Sequence, residues 1–379
     1  MSMSQQLYSK NRKSLNEIYR ENKTQMARHH VNVLAQMLTG LMLGRHVQLW
    51  MIALLLPFKT QLTSQVRKFE RFLADERVDV KQYFLPFVKA MHQSLGDEVA
   101  YIILDCTKAG KKCRVLLAGL VYHGTVLPVC WKTYAGSKGH MTGEKHKKLL
   151  QELPDCFVCY HRIVVLGDAE FGNKEVISWL QDKKWDFVFR AQKSRKAQKD
   201  GSEEWLRIGD IHEAEGVRKG QVKHWEGISY TETHQLEGLT LTGQWEEGYT
   251  EPIYLISSLP AGQAPHLVYE MRYTIETLFG NNKSRGFQLA KTHLTDPKKI
   301  DRLFLVLAIA TCQVLGLGTH LVLTEGTNWI DRSERRDLSL FQLGFRYFMR
   351  LIALNRLDLF EMCFQWDFSL PESGPQPVL

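Results

Sequence analysis

The sequence predicts an α/β protein in which helices flank a mixed sheet, with helical regions at both ends and a β-rich insertion. Three observations lead to this prediction. Residues 1–95 have apolar residues at helical spacing, residues 98–190 alternate short β-type runs with helical stretches, and helical periodicity returns after residue 257. The chain has 379 residues, 44% hydrophobic and 24% charged, which is typical of a globular protein of two or three domains.

The first 95 residues are predicted to form a basic helical domain that binds DNA. Residues 1–89 carry 14 Lys and Arg against 6 Asp and Glu, a net charge of +8 that equals the formal charge of the whole chain. A DNA-binding module has such an excess, and so does the solvated surface of an ordinary helical domain. The apolar positions at helical spacing are Val31, Leu34, Leu38 and Leu41, followed by Val66, Phe69, Phe72 and Leu73.

The central region is predicted to be a sheet with helices packed on it. Its order is three strands, a helix, a strand, a helix and a strand, which implies a mixed sheet. This order resembles that of ribonuclease H-like domains. The predicted strands are Val99–Leu104, Cys113–Tyr122, Thr125–Tyr134, Ile163–Leu166 and Trp185–Arg190, and the predicted helices are Lys145–Leu153 and Lys174–Lys183.

The rest of the chain divides into an insertion and a helical end. A polar, Gly-punctuated stretch at about 193–250 predicts a β-rich insertion within a domain that spans 96–325. Residues 326–379 are predicted to be a helical region that serves dimerisation and ends in a disordered tail. Leu303–Leu323 has about the ~20 residues of a membrane span. Its polar residues instead favour a buried core helix. The predicted elements are strand Ile253–Ser257 and helices Pro265–Phe279, Lys299–Leu323 and Leu338–Leu357.

Two aspartates follow apolar strands directly. Asp105 and Asp168 are predicted to end the first and fourth strands, where each is either a turn residue or a charge that needs a partner. If the two strands are neighbours, the carboxylates lie a few ångströms apart. Their mutual repulsion then favours a divalent cation between them. A sparse oxygen site of this kind suits Mg²⁺.

A third carboxylate lies on the predicted helix Pro265–Phe279. At about 100° per residue, Tyr269, Arg272, Glu276 and Lys283 share an arc of about 60° next to the apolar face. Such a stripe suits a substrate that carries phosphates, although a solvated helix face would also explain its charges. The Gly280–Asn282 segment is expected to end or distort the helix before Lys283.

The spacing Tyr269-x₂-Arg272-x₃-Glu276-x₆-Lys283 matches the Tyr-Arg-Glu-Lys signature of the insertion-sequence-four family of transposases. The segment LGDAEF around Asp168 looks like the second-aspartate motif of that family, and the resemblance covers most of residues 98–323. It implies that Asp105, Asp168 and Glu276 are the catalytic residues and bind two Mg²⁺ ions, for which Mn²⁺ can substitute. It also implies that Tyr269, Arg272 and Lys283 hold DNA phosphates.

The resemblance further implies cut-and-paste transposition through a DNA hairpin. Relatives often carry a Trp at the start of the strand before the signature helix, where it stacks on a flipped base. Ile253 at that position offers no aromatic face. Tyr254 and Trp245 are the candidate replacements, although Tyr254 is predicted to face the opposite side of the strand and Trp245 also fits a packing role.

The expected partners are the inverted-repeat DNA of the transposon ends, target DNA and a second copy of the chain in the DNA complex. Scattered cysteines and the lack of a signal-peptide pattern predict a cytoplasmic, nucleoid-associated bacterial protein without a membrane partner. The sequence leaves two alternative functions open. One is a catalytically silent DNA-binding protein derived from a transposase, and the other is a different ribonuclease H-like nuclease.

Overall fold

Strands from the centre of the chain form one continuous sheet. The computed structural model describes residues 1–20, 25–96, 98–136, 139–158, 162–215, 217–325, 327–328, 330–332, 336–360, 364 and 366–370, so the predicted tail beyond 370 lies outside the described residues. The strands are β1 Ala100–Ala109, β2 Cys113–Tyr122, β3 Thr125–Ala135, β4 Ile163–Gly167, β5 Asp186–Ala191, β6 Lys196–Gln198, β7 Leu206–Arg207, β8 Gln221–Tyr230, β9 Leu236–Trp245 and β10 Ile253–Ser257. Their order in the sheet is β3-β2-β1-β4-β5-β10-β9-β8-β6-β7.

The first five strands have the predicted mixed arrangement. β1, β2 and β3 form an antiparallel meander, while β4 runs parallel to β1 and β5 parallel to β4. β4 is fully buried and its neighbours β1 and β5 are mostly buried, because a strand in a parallel sheet is covered on both faces by the connecting helices. This order confirms the predicted ribonuclease H-like fold class.

β1 is longer than predicted, and this corrects the placement of Asp105. The strand does not end at Leu104 but continues to Ala109, where it pairs with Cys113 of β2. Its parallel pairing with β4 does stop at Leu104 opposite Gly167. Asp105 therefore lies inside a strand that remains paired on one side only. The apolar run Val99–Leu104 contains the part of β1 that pairs with strands on both sides. Residues 105–109 extend the strand because they pair with β2.

The strands of the predicted insertion are part of the ten-stranded sheet. β10 pairs with β5 on one side and with β9 on the other, both antiparallel, so the insertion strands extend the central sheet. β8 and β9 form an antiparallel hairpin within the predicted insertion.

The helices are α1 Met3–Ile18, α2 Gln25–Gly44, α3 Leu49–Leu54, α4 Leu62–Ala74, α5 Val80–Leu95, α6 Gly143–Leu150, α7 Asp155–Val158, α8 Lys174–Lys183, α9 Ile208–Ala214, α10 Pro265–Glu270, α11 Thr274–Gly280, α12 Pro297–His320 and α13 Leu340–Ala353. The first five share one hydrophobic core with the sheet. Phe84 of α5 packs edge-on against Trp131 of β3, with ring centroids 5.0 Å apart. The buried Arg302 of α12 donates hydrogen bonds to the carbonyl oxygens of Leu73 and Val78. The N-terminal helices are therefore tied to the centre of the fold.

α12 is the buried core helix that the sequence predicts. Among the described residues, Pro297–Thr324 is the one helical segment with the length and hydropathy of a membrane span, and 89% of its apolar window is buried in the fold. α13 approaches it so closely that a Cβ at Gly344 would overlap the carbonyl oxygen of Val314. Glycine therefore permits contact between the two helix backbones at this point.

Asp301 of α12 gives a testable pH dependence. Its Oδ1 accepts a hydrogen bond from the Thr133 amide at 2.7 Å, and burial raises the pKa of its carboxyl from 3.8 to about 6. The folded state therefore binds this proton more tightly than the unfolded state, and stability from this group is lost as the pH rises from about 4 through 6. We expect Asp301→Asn to be more stable than wild type at pH 8 by on the order of 2 kcal/mol, with the difference vanishing near pH 4. Urea unfolding at several pH values measures this, and a constant difference would contradict the assignment.

Candidate active site

The two candidate aspartates lie side by side at one edge of the parallel part of the sheet. The last paired level of β1 and β4 is Leu104 opposite Gly167, so Asp105 and Asp168 occupy the next level. Neighbouring strands lie about 4.8 Å apart, and residues at one level point to the same face. The predicted juxtaposition of the two carboxylates is therefore present, although only Asp168 follows the end of its strand.

Asp105 is the more strongly perturbed carboxyl. Burial raises its pKa to about 6. The nearby Arg272 guanidinium opposes this increase, whereas the negative charges of Asp168 and Glu276 add to it. Asp168 and Glu276 are thus each close enough to Asp105 to repel its charge. The site has an excess of negative charge that a cation would relieve.

Arg272 connects the sheet carboxylate with the helix carboxylate. Its Nη2 donates a hydrogen bond to Asp105 Oδ2 at 3.1 Å, and its Nη1 lies 3.5 Å from Glu276 Oε1. The side chains of Arg272 and Asp105 are 12% and 16% exposed, whereas that of Glu276 is 56% exposed. Arg272 therefore compensates the negative charge of the buried Asp105 in this structure. The sequence had predicted that this side chain binds a DNA phosphate.

The helical segment that carries these residues is not a regular α-helix. α10 ends at Glu270, a 3₁₀ turn spans Met271–Tyr273, and α11 begins at Thr274. A 3₁₀ turn has about 3.0 residues per turn, so the predicted arc is not preserved. Tyr269 is 2% exposed, and burial raises the pKa of its phenol well above its ordinary range. Tyr269 is therefore buried in this structure, and its contact with a DNA phosphate stays a prediction.

Lys283 lies on a π-helical turn, Asn281–Arg285, which follows α11 directly. The expected distortion at Gly280–Asn282 is confirmed. The buried Asn282 accepts a hydrogen bond from Thr311 of α12 at 3.1 Å, which holds this turn against the core. Burial lowers the pKa of Lys283, while the charge of Asp105 opposes that change. The ammonium group is thus close to the carboxylate site.

Comparison with known proteins identifies the family to which this arrangement belongs. Residues 87–313, more than half of the chain, match the family described as "Transposase DDE domain". The chain belongs to this transposase family. The matched region contains Asp105, Asp168, Glu276 and Lys283.

A solved structure of piggyBac transposase, in a synaptic complex with hairpin DNA, resembles the chain with 12% sequence identity and a TM-score of 0.43. The similarity covers 93% of this chain and 79% of the other. No curated protein matches the chain.

The DDE transposase family uses divalent metal ions, and the donor set here fits one. Three carboxylates supply only oxygen ligands, as Mg²⁺ prefers, and the buried Asp105 needs a positive partner. Among the described residues, no three His, Cys, Asp or Glu side chains are arranged with metal-ligand geometry. The three carboxylates of the described residues therefore do not form a complete metal site in this arrangement of the side chains.

Glu170 is a supporting residue that the sequence interpretation missed. Its amide donates to Asp168 Oδ1 at 2.8 Å, and its carboxylate accepts a hydrogen bond from the Met141 amide at 2.5 Å. The carboxylate also lies 3.1 Å from His140 and 3.5 Å from the buried His146. These contacts anchor the turn that carries Asp168 to the segment around α6. Its position two residues after Asp168 was the available signal.

Arg190 and Tyr273 also border the site without having been predicted. Gly167 pairs with Phe189, so Arg190 occupies the same sheet level as Asp168. Charge interactions connect Arg190 with Tyr269 and Tyr273. Tyr273 is 38% exposed, and the Arg272 guanidinium lies 5.8 Å from its ring centroid. The parallel register could have revealed Arg190, whereas the placement of Tyr273 depends on the 3₁₀ turn.

The two candidate stacking residues differ in accessibility. Tyr254 is 6% exposed, and its ring packs edge-on against His212 at 5.3 Å, so it presents no open ring face for stacking in this structure. The reason is that β10 is a central strand covered by α9 on this face. Trp245 is partly exposed, and its Nε1 donates to the Tyr249 carbonyl at 3.1 Å. Only Trp245 of this pair keeps a partly accessible face.

Proposed function

We propose that the protein is a cut-and-paste DNA transposase, with Asp105, Asp168 and Glu276 as its catalytic residues. The main observation behind the proposal is that Asp105 and Asp168 lie at the same level on adjacent parallel strands. Arg272 contacts both Asp105 and Glu276, which brings Glu276 to the same site. Membership of the DDE transposase family supports the same reaction class. The proposed substrates are the inverted-repeat ends of the element and then target DNA, bound by two copies of the chain.

The geometry suggests a role for each residue. The carboxylates of Asp105, Asp168 and Glu276 would hold Mg²⁺, with Mn²⁺ as a substitute. When bound, two such ions stabilise the attacking and leaving oxygens of an in-line displacement at phosphorus. Lys283 would neutralise a phosphate oxygen beside Asp105. Arg272, if released from Asp105, would be free to contact a phosphate bidentately.

The reaction sequence follows from a single phosphoryl-transfer site. Water attacks the phosphorus at the transposon end, the bond to the 3′-oxygen breaks, and a 3′-OH is released. That hydroxyl can then attack a second phosphodiester, forming one P–O bond for each one broken. We further propose that the protein belongs to the insertion-sequence-four group and cuts DNA through a hairpin intermediate. This proposal is based on the spacing of Tyr269, Arg272, Glu276 and Lys283. Trp245 is then the candidate to stack on the unpaired base.

The experiment that tests this function is cleavage of a labelled duplex that carries the inverted repeat flanking the gene. We expect end-specific nicking with Mg²⁺ or Mn²⁺ and none with EDTA, since the site must neutralise developing charge on the phosphate. A denaturing gel separates nicked strands from hairpins. A hairpin product supports the finer proposal, and its absence alongside double-strand breaks excludes that route.

Two outcomes would replace the proposal. End binding without metal-dependent cleavage would indicate a silent DNA-binding protein derived from a transposase, although all three acidic positions are filled. Cleavage of branched DNA in preference to the inverted repeat would instead indicate a different ribonuclease H-like nuclease.

A further inference from the structure

Five stretches of at least 19 residues contain no acidic residue, and three of them lie outside the helices α12 and α13. Segments 22–69, 106–143 and 277–295 have neither Asp nor Glu, although Asp and Glu together number 41 in the chain. The first lies in the N-terminal helices, the second begins one residue after Asp105, and the third begins one residue after Glu276. Such segments matter only if the fold brings them together on one surface.

The first and third segments are connected by direct hydrogen bonds. Arg45 donates from Nη2 to the Arg285 carbonyl at 2.7 Å, and the Val47 amide donates to the Phe287 carbonyl at 3.1 Å. Gln48 Nε2 donates to the Lys291 carbonyl at 3.2 Å and lies 2.6 Å from His293 Nε2. The chain around α3 is therefore attached to the segment that follows the π turn.

The second segment reaches the same place through the hairpin between β1 and β2. A Cβ on Gly110 would lie 2.9 Å from the Thr292 carbonyl oxygen, so the turn packs directly on residues next to Lys291. Lys108 of this hairpin is close enough to Lys283 for its charge to contribute to the lowered pKa of that lysine. The meeting point therefore borders the carboxylate site at Lys283.

The exposed charged side chains of the three segments at this meeting point are all basic, and one exposed side chain is aromatic. Trp50 is 49% exposed, and its Nε1 donates to Gln48 Oε1 at 3.2 Å, which holds the indole at the surface. We name this surface the basic junction. It comprises Arg45, Trp50, Lys108, Arg285, Lys291 and His293.

We propose that the basic junction binds the backbone of the DNA duplex that lies next to the bond being cut. The inference rests on the proposed function and adds the path of the DNA away from the site. Phosphate groups repel acidic side chains and pair with Lys, Arg and polar donors, which matches the composition of these three segments. Lys283 belongs to the carboxylate site and also borders the junction, so DNA bound there continues directly from the reacting phosphate.

The salt dependence of DNA binding tests this placement. Each phosphate contact contributes about 0.9 to the slope of log affinity against log salt concentration. We expect the double variant Lys108→Gln, Lys291→Gln to bind a fluorescein-labelled duplex of about 30 base pairs more weakly and with a slope reduced by about 1.8. The matched control is Lys183→Gln, Lys184→Gln, which removes the same charge. These two lysines lie at the C-terminal end of α8, just before β5 and at the end of the parallel sheet away from the carboxylate site, so the control should keep the wild-type slope. Fluorescence anisotropy of the full chain in EDTA across a KCl series measures both.

The outcomes separate the two proposals. Equal slopes for wild type, test variant and control would overturn the basic junction while leaving cleavage, and hence the proposed function, intact. Failure of the wild type to bind or cleave DNA would overturn both. A Trp50→Ala variant should lose affinity for DNA severalfold with an unchanged salt slope, because an apolar contact releases no counterions. An unchanged affinity would show that Trp50 does not contact the DNA.

Discussion

Asp105→Asn, Asp168→Asn and Glu276→Gln are each expected to reduce cleavage of the inverted repeat by about 10³-fold or more. Each substitution keeps the size of the side chain but removes a negative oxygen ligand. Metal ions supply several kcal/mol of transition-state stabilisation, and about 4 kcal/mol corresponds to three orders of magnitude in rate. Single-turnover cleavage in Mg²⁺, together with DNA-binding affinity, measures the effect. Affinity for the duplex should change little, because most of it comes from contacts outside the carboxylates.

A matched acidic control makes this result specific. Asp182→Asn removes one negative charge from the exposed surface of α8 and should cleave as wild type does. Near wild-type cleavage by any of the three site variants would exclude that residue as a metal ligand. If Asp168→Asn were inactive and Glu276→Gln active, the site would contain only the two carboxylates at one sheet level.

Arg272→Gln is expected to destabilise the metal-free protein by about 3 kcal/mol at pH 8. Removing one partner of a buried ion pair leaves the other charge uncompensated, and Asp105 is such a partner. The same substitution should increase the stabilisation that Mg²⁺ provides, because the guanidinium and the cation compete for Asp105. Thermal unfolding with and without Mg²⁺ measures both effects, and neither depends on cleavage activity.

Arg190→Gln is the control for this prediction. Arg190 lies at the same sheet level as Asp168 but its side chain is exposed, so its loss should change the melting temperature little. Equal melting temperatures for wild type and Arg272→Gln in EDTA would show that the ion pair contributes no stability. Equal Mg²⁺ responses would show that Arg272 does not compete with the metal ion.

Much of the central fold could be predicted because its signals are local. The strands and helices from Cys113 to Lys183 alternate in β-type and helical periodicity, and α8 begins and ends where predicted. Asp105 and Asp168 could be paired because parallel strands bring equivalent ends to one edge of a sheet. The buried character of α12 followed from its composition. In each of these cases the hydrophobic pattern of a short segment carries the information.

Long-range packing decided the rest. β1 extends past Asp105 because β2 pairs with it, and the insertion joins the central sheet because β10 lies between β5 and β9. A 3₁₀ turn and a π turn on either side of α11 bury Tyr269 and direct Arg272 to Asp105.

The sequence by itself therefore determined the fold class and the pairing of Asp105 with Asp168, since both follow from the periodicity and order of the elements along the chain. Only the tertiary structure decided that Arg272 pairs with a carboxylate, that Tyr254 is buried, and that three acid-free segments meet beside Lys283. Those outcomes depend on contacts between residues far apart in sequence, which no local pattern specifies.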